Sequence, residues 1–90
     1  MTYDEFKALV RDLAQRDDLT THGLLPIPTL RRESAEMLTR AEIDEFLMRM
    51  HGEGQVHLLS HVEFETLPTP VQHAALHLPS GQQLYWIRTL

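Results

Sequence analysis

The sequence predicts a small α+β domain, and three observations carry the prediction. Two stretches repeat apolar residues at three- and four-residue steps, each opened by a threonine with a glutamate three places on, the sign of a capped amphipathic helix. From Val56 the apolar period changes to two, as in a strand with one wet face. The chain then closes on LYWIRTL, dense in aromatic and β-branched residues. A length of 90 residues is enough for one hydrophobic core and one domain, residues 1–90.

Each element follows in order. Thr2 and Glu5 have capping-box spacing, and Tyr3, Phe6, Leu9, Val10 and Leu13 make one apolar stripe, so the first helix runs over about 3–16. RDDLTTHG breaks that period with turn formers, and LLPIP reads as a short edge strand, where a missing N–H does little harm. A second helix is expected over about 28–36, with Leu30, Ser34 or Ala35, and Leu38 in phase. Thr39 and Glu42 cap a third, in which Ile43, Phe46, Leu47 and Met50 sit at i, i+3, i+4 and i+7 and Gly52 or Gly54 supplies the left-handed terminator. The strand that follows places Val56, Leu58, Ser60, Val62 and Phe64 on one face, and His57, Leu59, His61 and Glu63 on the other. Thr69, Pro70 and Gln72 start a short helix over about 70–77, LPSGQQ turns the chain, and LYWIRTL is the closing strand.

Composition narrows the function classes. The chain has no cysteine, which removes disulfides, thiol nucleophiles and sulfur-ligated metal sites and favours a reducing, cytoplasmic setting. No apolar run is long enough to span a bilayer, so no membrane partner is expected. Eight Lys and Arg against 13 Asp and Glu give a formal charge of −5, so this acidic domain repels a polyanion unless its bases gather on one face. Protonating all six histidines, whose reference pKa is about 6.5, would take that to −5 + 6 = +1.

The order helix, strand, helix, helix, strand, connection, strand resembles the winged helix-turn-helix superfamily over essentially the whole chain. LLPIPTLRRE is similar to a first strand running into helix two, LTRAEIDEFLMRMHGEGQVHLL to helix three and the first wing strand, and QLYWIRTL to the second wing strand. The resemblance implies an α-β-α-α-β-(short α)-β domain whose wing connection, roughly 65–81, is unusually long. It also implies that helix three or the wing carries the binding surface, for DNA in some members and for protein in others.

Arg31, Arg32, Arg40 and Arg49 are the candidate nucleic-acid contacts, because this fold could bring them together and phosphate affinity needs clustered cations. Glu33, Glu36, Glu42, Asp44 and Glu45 interleave with them, the ordinary pattern of a salt-laced solvated face. Leu59, Tyr85 and Trp86 are candidate partner contacts on the wing sheet, where an apolar face is left over. His73 and His77 are four apart on a predicted helix and His57 and His61 four apart on a predicted strand face, a spacing open to a metal or a pH sensor but lacking a third ligand. No metal site, cofactor or small-molecule substrate is implied. No nucleophile and base are positioned together and no phosphate-cradling glycine loop exists, so an enzyme is not expected.

Two readings result. The first is a non-enzymatic winged-helix module for protein–protein interaction or assembly, an adaptor or a dimerising unit, favoured by the acidic helix three and the aromatic wing. The second is a DNA-binding transcriptional regulator using the helix over 39–51 and the wing. Carboxylates lining a DNA-reading helix would have to overcome repulsion from phosphate.

Overall fold

Both long helices start at a reciprocal cap. In the computed structural model, which describes residues 1–90, α1 (Tyr3–Ala14) begins after Thr2 and α3 (Arg40–Gly52) after Thr39. Each threonine hydroxyl accepts from the N–H of a glutamate three residues on, Glu5 or Glu42, at 3.2 Å, and each glutamate carboxylate accepts from the threonine N–H at 2.9 Å. Backbone N–H donation holds both carboxylates below the usual range. α3 ends on Gly54, which takes φ +74° while its N–H reaches the His51 carbonyl and the Gln55 N–H reaches that of Met50. That pair of bonds is the Schellman arrangement, which needs the left-handed residue. It decides between the two candidate glycines.

The second helix, α2 (Ile27–Ser34), starts a residue earlier than its proline suggests and has no side-chain cap. The Ile27 N–H is instead taken by the Tyr85 carbonyl, so the sheet supplies the missing acceptor. Ser34, not Ala35, is the buried phase position, and its hydroxyl donates to the Leu30 carbonyl at 2.7 Å.

Three strands form one antiparallel sheet: β1 (Leu25–Pro26), β2 (Val56–Leu59) and β5 (Trp86–Thr89), with β5 in the middle. Leu25, Leu58, Val56 and Ile87 turn inward to meet Phe6, Val10 and Leu13 of α1, Ile27 and Leu30 of α2, and Ile43, Leu47 and Met50 of α3. Phe46 is half-buried, its ring 5.6 Å from Tyr3 and 5.2 Å from Phe6. A two-stranded ribbon, β3 (Leu76–His77) with β4 (Gln83–Leu84), completes the sheet content. No helix is long and apolar enough to cross a membrane.

The elements after Leu59 differ from expectation, for reasons visible in their hydrogen bonds. The strand does not continue to Phe64: the His61 Nδ1 accepts from the Glu63 N–H at 3.0 Å, and Phe64–Thr66 forms a 3₁₀ turn that buries Phe64. A local side-chain acceptor has outcompeted a ladder. The short helix is α4 (Thr69–His73), not 70–77, because the chain leaves it to pair Leu76 with Leu84. The closing strand is broken between β4 and β5. The Tyr85 N–H donates to the Leu59 carbonyl at 2.8 Å although Leu59 is registered against Trp86, so two residues face one, a β-bulge. The bulge resets the alternation: Leu84 and Ile87 share the main core, while Tyr85 joins Phe64 and Ala75 in a second, smaller one.

Candidate functional site

Within the connection of residues 60–82, Ala74 and Ala75 fold back onto α2 and α3, and arginines make the junction. Arg31, on α2, is 11% exposed. Its Nε donates to the Ala74 carbonyl at 2.5 Å and an Nη donates to the Ala75 carbonyl at 3.1 Å. Arg40, in the first turn of α3, donates to the same Ala75 carbonyl at 2.9 Å. Ala74 is the C-cap of α4 and Ala75 follows it, so Arg31 satisfies a carbonyl that the helix end leaves open while both guanidinium groups hold the next one. A side chain larger than methyl at the fully buried Ala75 would obstruct this approach.

Asp44 of α3 lies 2.7 Å from the same Arg31 nitrogen, and its carboxylate is one-third exposed. The ion contact is close but poorly aligned: Asp44 Oδ1 and the other Arg31 nitrogen, Nη1, are buried with no well-formed hydrogen bond. Burial lowers the Arg31 pKa, the adjacent Asp44 carboxylate opposes the shift, and the Arg40 charge adds to it. The guanidinium stays protonated at neutral pH.

The other two candidate arginines are placed elsewhere. Arg32 is 67% exposed and 3.6 Å from Glu33. Arg49 lies 3.4 Å from Glu53 and stacks over the Tyr3 ring at 3.9 Å, while the Tyr3 hydroxyl donates to Glu53 at 2.6 Å. That hydrogen bond, aided by Arg49, holds the Glu53 carboxyl below its usual range. The four arginines therefore do not form one free cationic cluster. Two fasten the connection, one ties the end of α3 to the start of α1, and one is a solvated surface residue.

The candidate partner contacts divide in a similar way. Pro26, Trp86 and Leu59 lie in one row across the outer face of the sheet, each half-buried. The His61 ring stacks on Trp86 at 5.6 Å and meets Tyr85 edge-on at 5.0 Å. Tyr85 itself is 9% exposed and packs inward with Phe64 and Ala75, and burial raises its phenol pKa. Of the candidate partner contacts Leu59, Tyr85 and Trp86, only Leu59 and Trp86 reach the surface. The paired histidines separate: α4 ends at His73 with His77 in β3, and β2 ends before His61.

The interlock of Arg31 and Arg40 with Ala74 and Ala75 was not anticipated from sequence, since it joins residues some 35 to 44 apart. The available signals were a connection long enough to reach back and a pair of small residues within it. No family model, curated protein or solved structure matches this chain.

Proposed function

We propose that the chain is a non-enzymatic winged-helix module that works through protein contact. The winged-helix part of this reading is supported by the element order and by the antiparallel pairing of β2 with β5, the two strands the resemblance assigns to the wing. The observation that carries the rest is the commitment of Arg31 and Arg40 to backbone carbonyls of the connection. Phosphate contact on the α2–α3 side is then left to Arg32 and Arg49, both already beside glutamates, and to the donors of exposed Arg40 that Ala75 does not use, while Glu42 and Glu45 are exposed to any approaching polyanion. The row of Pro26, Trp86 and Leu59 offers an apolar surface that suits a protein partner better than a nucleic-acid backbone.

The test is a fluorescence titration of a random DNA duplex at two salt concentrations, with wild type, the Glu42→Gln/Glu45→Gln pair and Arg32→Ala/Arg49→Ala. The expected result is wild-type binding at physiological salt weaker than about 10⁻⁴ M, the weak end of nonspecific affinity. With three phosphates at most, at Arg32, Arg40 and Arg49, the salt slope of log K should not exceed about 3 in magnitude. Micromolar binding with a steeper slope would overturn the reading in favour of a DNA-binding regulator.

A further inference from the structure

We propose that the outer face of the three-stranded sheet, around Arg88, is the docking surface for an acidic protein segment with apolar side chains, and that it holds such a segment more tightly as pH falls. The proposal rests on the protein-contact reading and names the partner's chemistry. Strand alternation places Pro26, Trp86 and Leu59 in one row of this face and His57 and Arg88, a registered pair, in the next. None of these residues carries a carboxylate, in a protein with 13 Asp and Glu against 8 Lys and Arg. Every lysine and arginine side chain of the protein has a hydrogen-bond or ion-pair partner except Arg88. The one free guanidinium is thus exposed beside the apolar row.

The titratable groups around Arg88 give the face its pH dependence. His57 stands across from it on β2, and His51, near the end of α3, brings its ring to 6.4 Å from the His57 ring. Both histidines are exposed, and each gains a positive charge as pH falls toward 5.5. From α1, Arg11 reaches Gln55 just before β2 and adds positive charge at that end. Three acids lie near, and none pairs with Arg88, His51 or His57. The Glu53 carboxylate is held by Tyr3 and Arg49, the terminal carboxylate of Leu90 follows Arg88 by two residues, and Glu63 adjoins His61. The His61 Nδ1 already accepts from the Glu63 N–H while its ring stacks on Trp86, so a proton there would break a bond of the connection. The pH response is therefore assigned to His51 and His57. A single-stranded nucleic acid could stack on Trp86 and His61, but its affinity needs several permanent cations and the face itself has one. A protein carboxylate needs only one, and an apolar neighbour of that carboxylate can lie on Pro26, Leu59 and Trp86.

The experiment is an amide chemical-shift titration of the whole chain at pH 7.5 and pH 5.5 in matched salt. The first probe is a short capped peptide with a central leucine–phenylalanine pair flanked on each side by an aspartate and a glutamate. The others are the same peptide with asparagine and glutamine in place of the acids, the same with lysine, and a single-stranded oligothymidylate of similar length. The acidic peptide should shift His57, Leu59, Trp86 and Arg88 saturably and bind about fivefold more tightly at pH 5.5 than at pH 7.5, since its own carboxylates stay ionised there. The neutral peptide should bind about tenfold more weakly at pH 5.5 and gain nothing from the lower pH, and the lysine peptide and oligothymidylate should bind more weakly than the acidic one. Arg88→Gln, at an exposed position, should lower acidic-peptide affinity about tenfold, and the His51→Gln/His57→Gln pair should remove the pH gain while leaving the affinity at pH 7.5 in place. Equal binding of the acidic and neutral peptides would overturn the proposal and leave the protein-contact reading standing. A pH gain that survives the histidine replacements, an affinity unchanged in Arg88→Gln, or no saturable response to the acidic peptide would also overturn it. Tighter binding of oligothymidylate than of the acidic peptide would overturn it together with the protein-contact reading.

Discussion

Arg31 carries more of the structure than any other polar side chain. Replacing it with alanine removes two charge-assisted bonds to backbone carbonyls and leaves Asp44 without its cation. Such bonds are each worth about 1.5–3 kcal/mol, and because Asp44 can turn to water the expected loss is about 2–4 kcal/mol, measured by urea denaturation. Arg40→Ala, at an exposed site with one such bond, should cost only about 0.5–1.5 kcal/mol. Equal losses would contradict the distinction between the two. A second residue-scale prediction concerns strain. His22 sits at φ +52° and Gly23 at φ +77°, and Thr21 and Leu24 exchange both backbone bonds at 2.9 Å around them, a two-residue turn with both central residues left-handed. Histidine bears a steric cost there that asparagine or glycine bears less, so His22→Asn should raise stability by about 0.5 kcal/mol. A loss of stability of that size in His22→Asn would show that the histidine ring makes a compensating contact.

At the scale of elements, the segments governed by local rules were legible in the sequence and those governed by distant partners were not. Both capping boxes, the apolar stripe of Phe6, Val10 and Leu13, and the i, i+3, i+4, i+7 set of α3 are short-range features, and all appear in place. The Val56–Leu59 strand was legible for the same reason, whereas its end was not, because the deciding bond runs from the Glu63 N–H to a histidine ring. The bulge at Tyr85 could not be read at all: LYWIRTL has no glycine to mark a kink, and the extra residue is set by Leu59 of another strand. The candidate site was legible in its residue types only. Arg31 and Arg40 were two of four arginines read as phosphate contacts, and their partners here are backbone carbonyls, which every sequence position offers equally. An element-scale prediction follows from the Schellman end of α3. Gly54→Ala meets no steric neighbour, so only its φ opposes it, and the cost should be about 1–2 kcal/mol by urea denaturation. A negligible cost would mean that the helix end is not held as described.

For the whole molecule, size and surface locate the long connection. A compact chain of this length has an expected radius of gyration of about 12 Å and a folded monomer of this mass an expected surface of about 5,400 Å². The observed 12.1 Å and 5440 Å² match, as they should if the connection lies against the body. Global stability should also carry the imprint of the lowered carboxylates. Glu5, Glu42 and Glu53 have folded-state values below the ordinary one, so their contribution is present above about pH 4.5 and is lost as pH falls through the lowered values. Urea midpoints of wild type and Glu42→Gln should therefore converge between pH 5 and pH 3, since the variant has no carboxylate at that position to titrate; a constant gap would be inconsistent with the cap's electrostatic share. The central claim, that the α2–α3 arginines are bound to the folded-back connection, is tested most directly by the arginine side-chain Nε–H signals in a proton–nitrogen spectrum. The Arg31 Nε–H should exchange with water far more slowly than that of the solvated Arg32, and should show a through-bond coupling to the Ala74 carbonyl carbon across the 2.5 Å hydrogen bond. An Arg31 signal that exchanges as fast as that of Arg32, with no coupling to Ala74, would contradict the account.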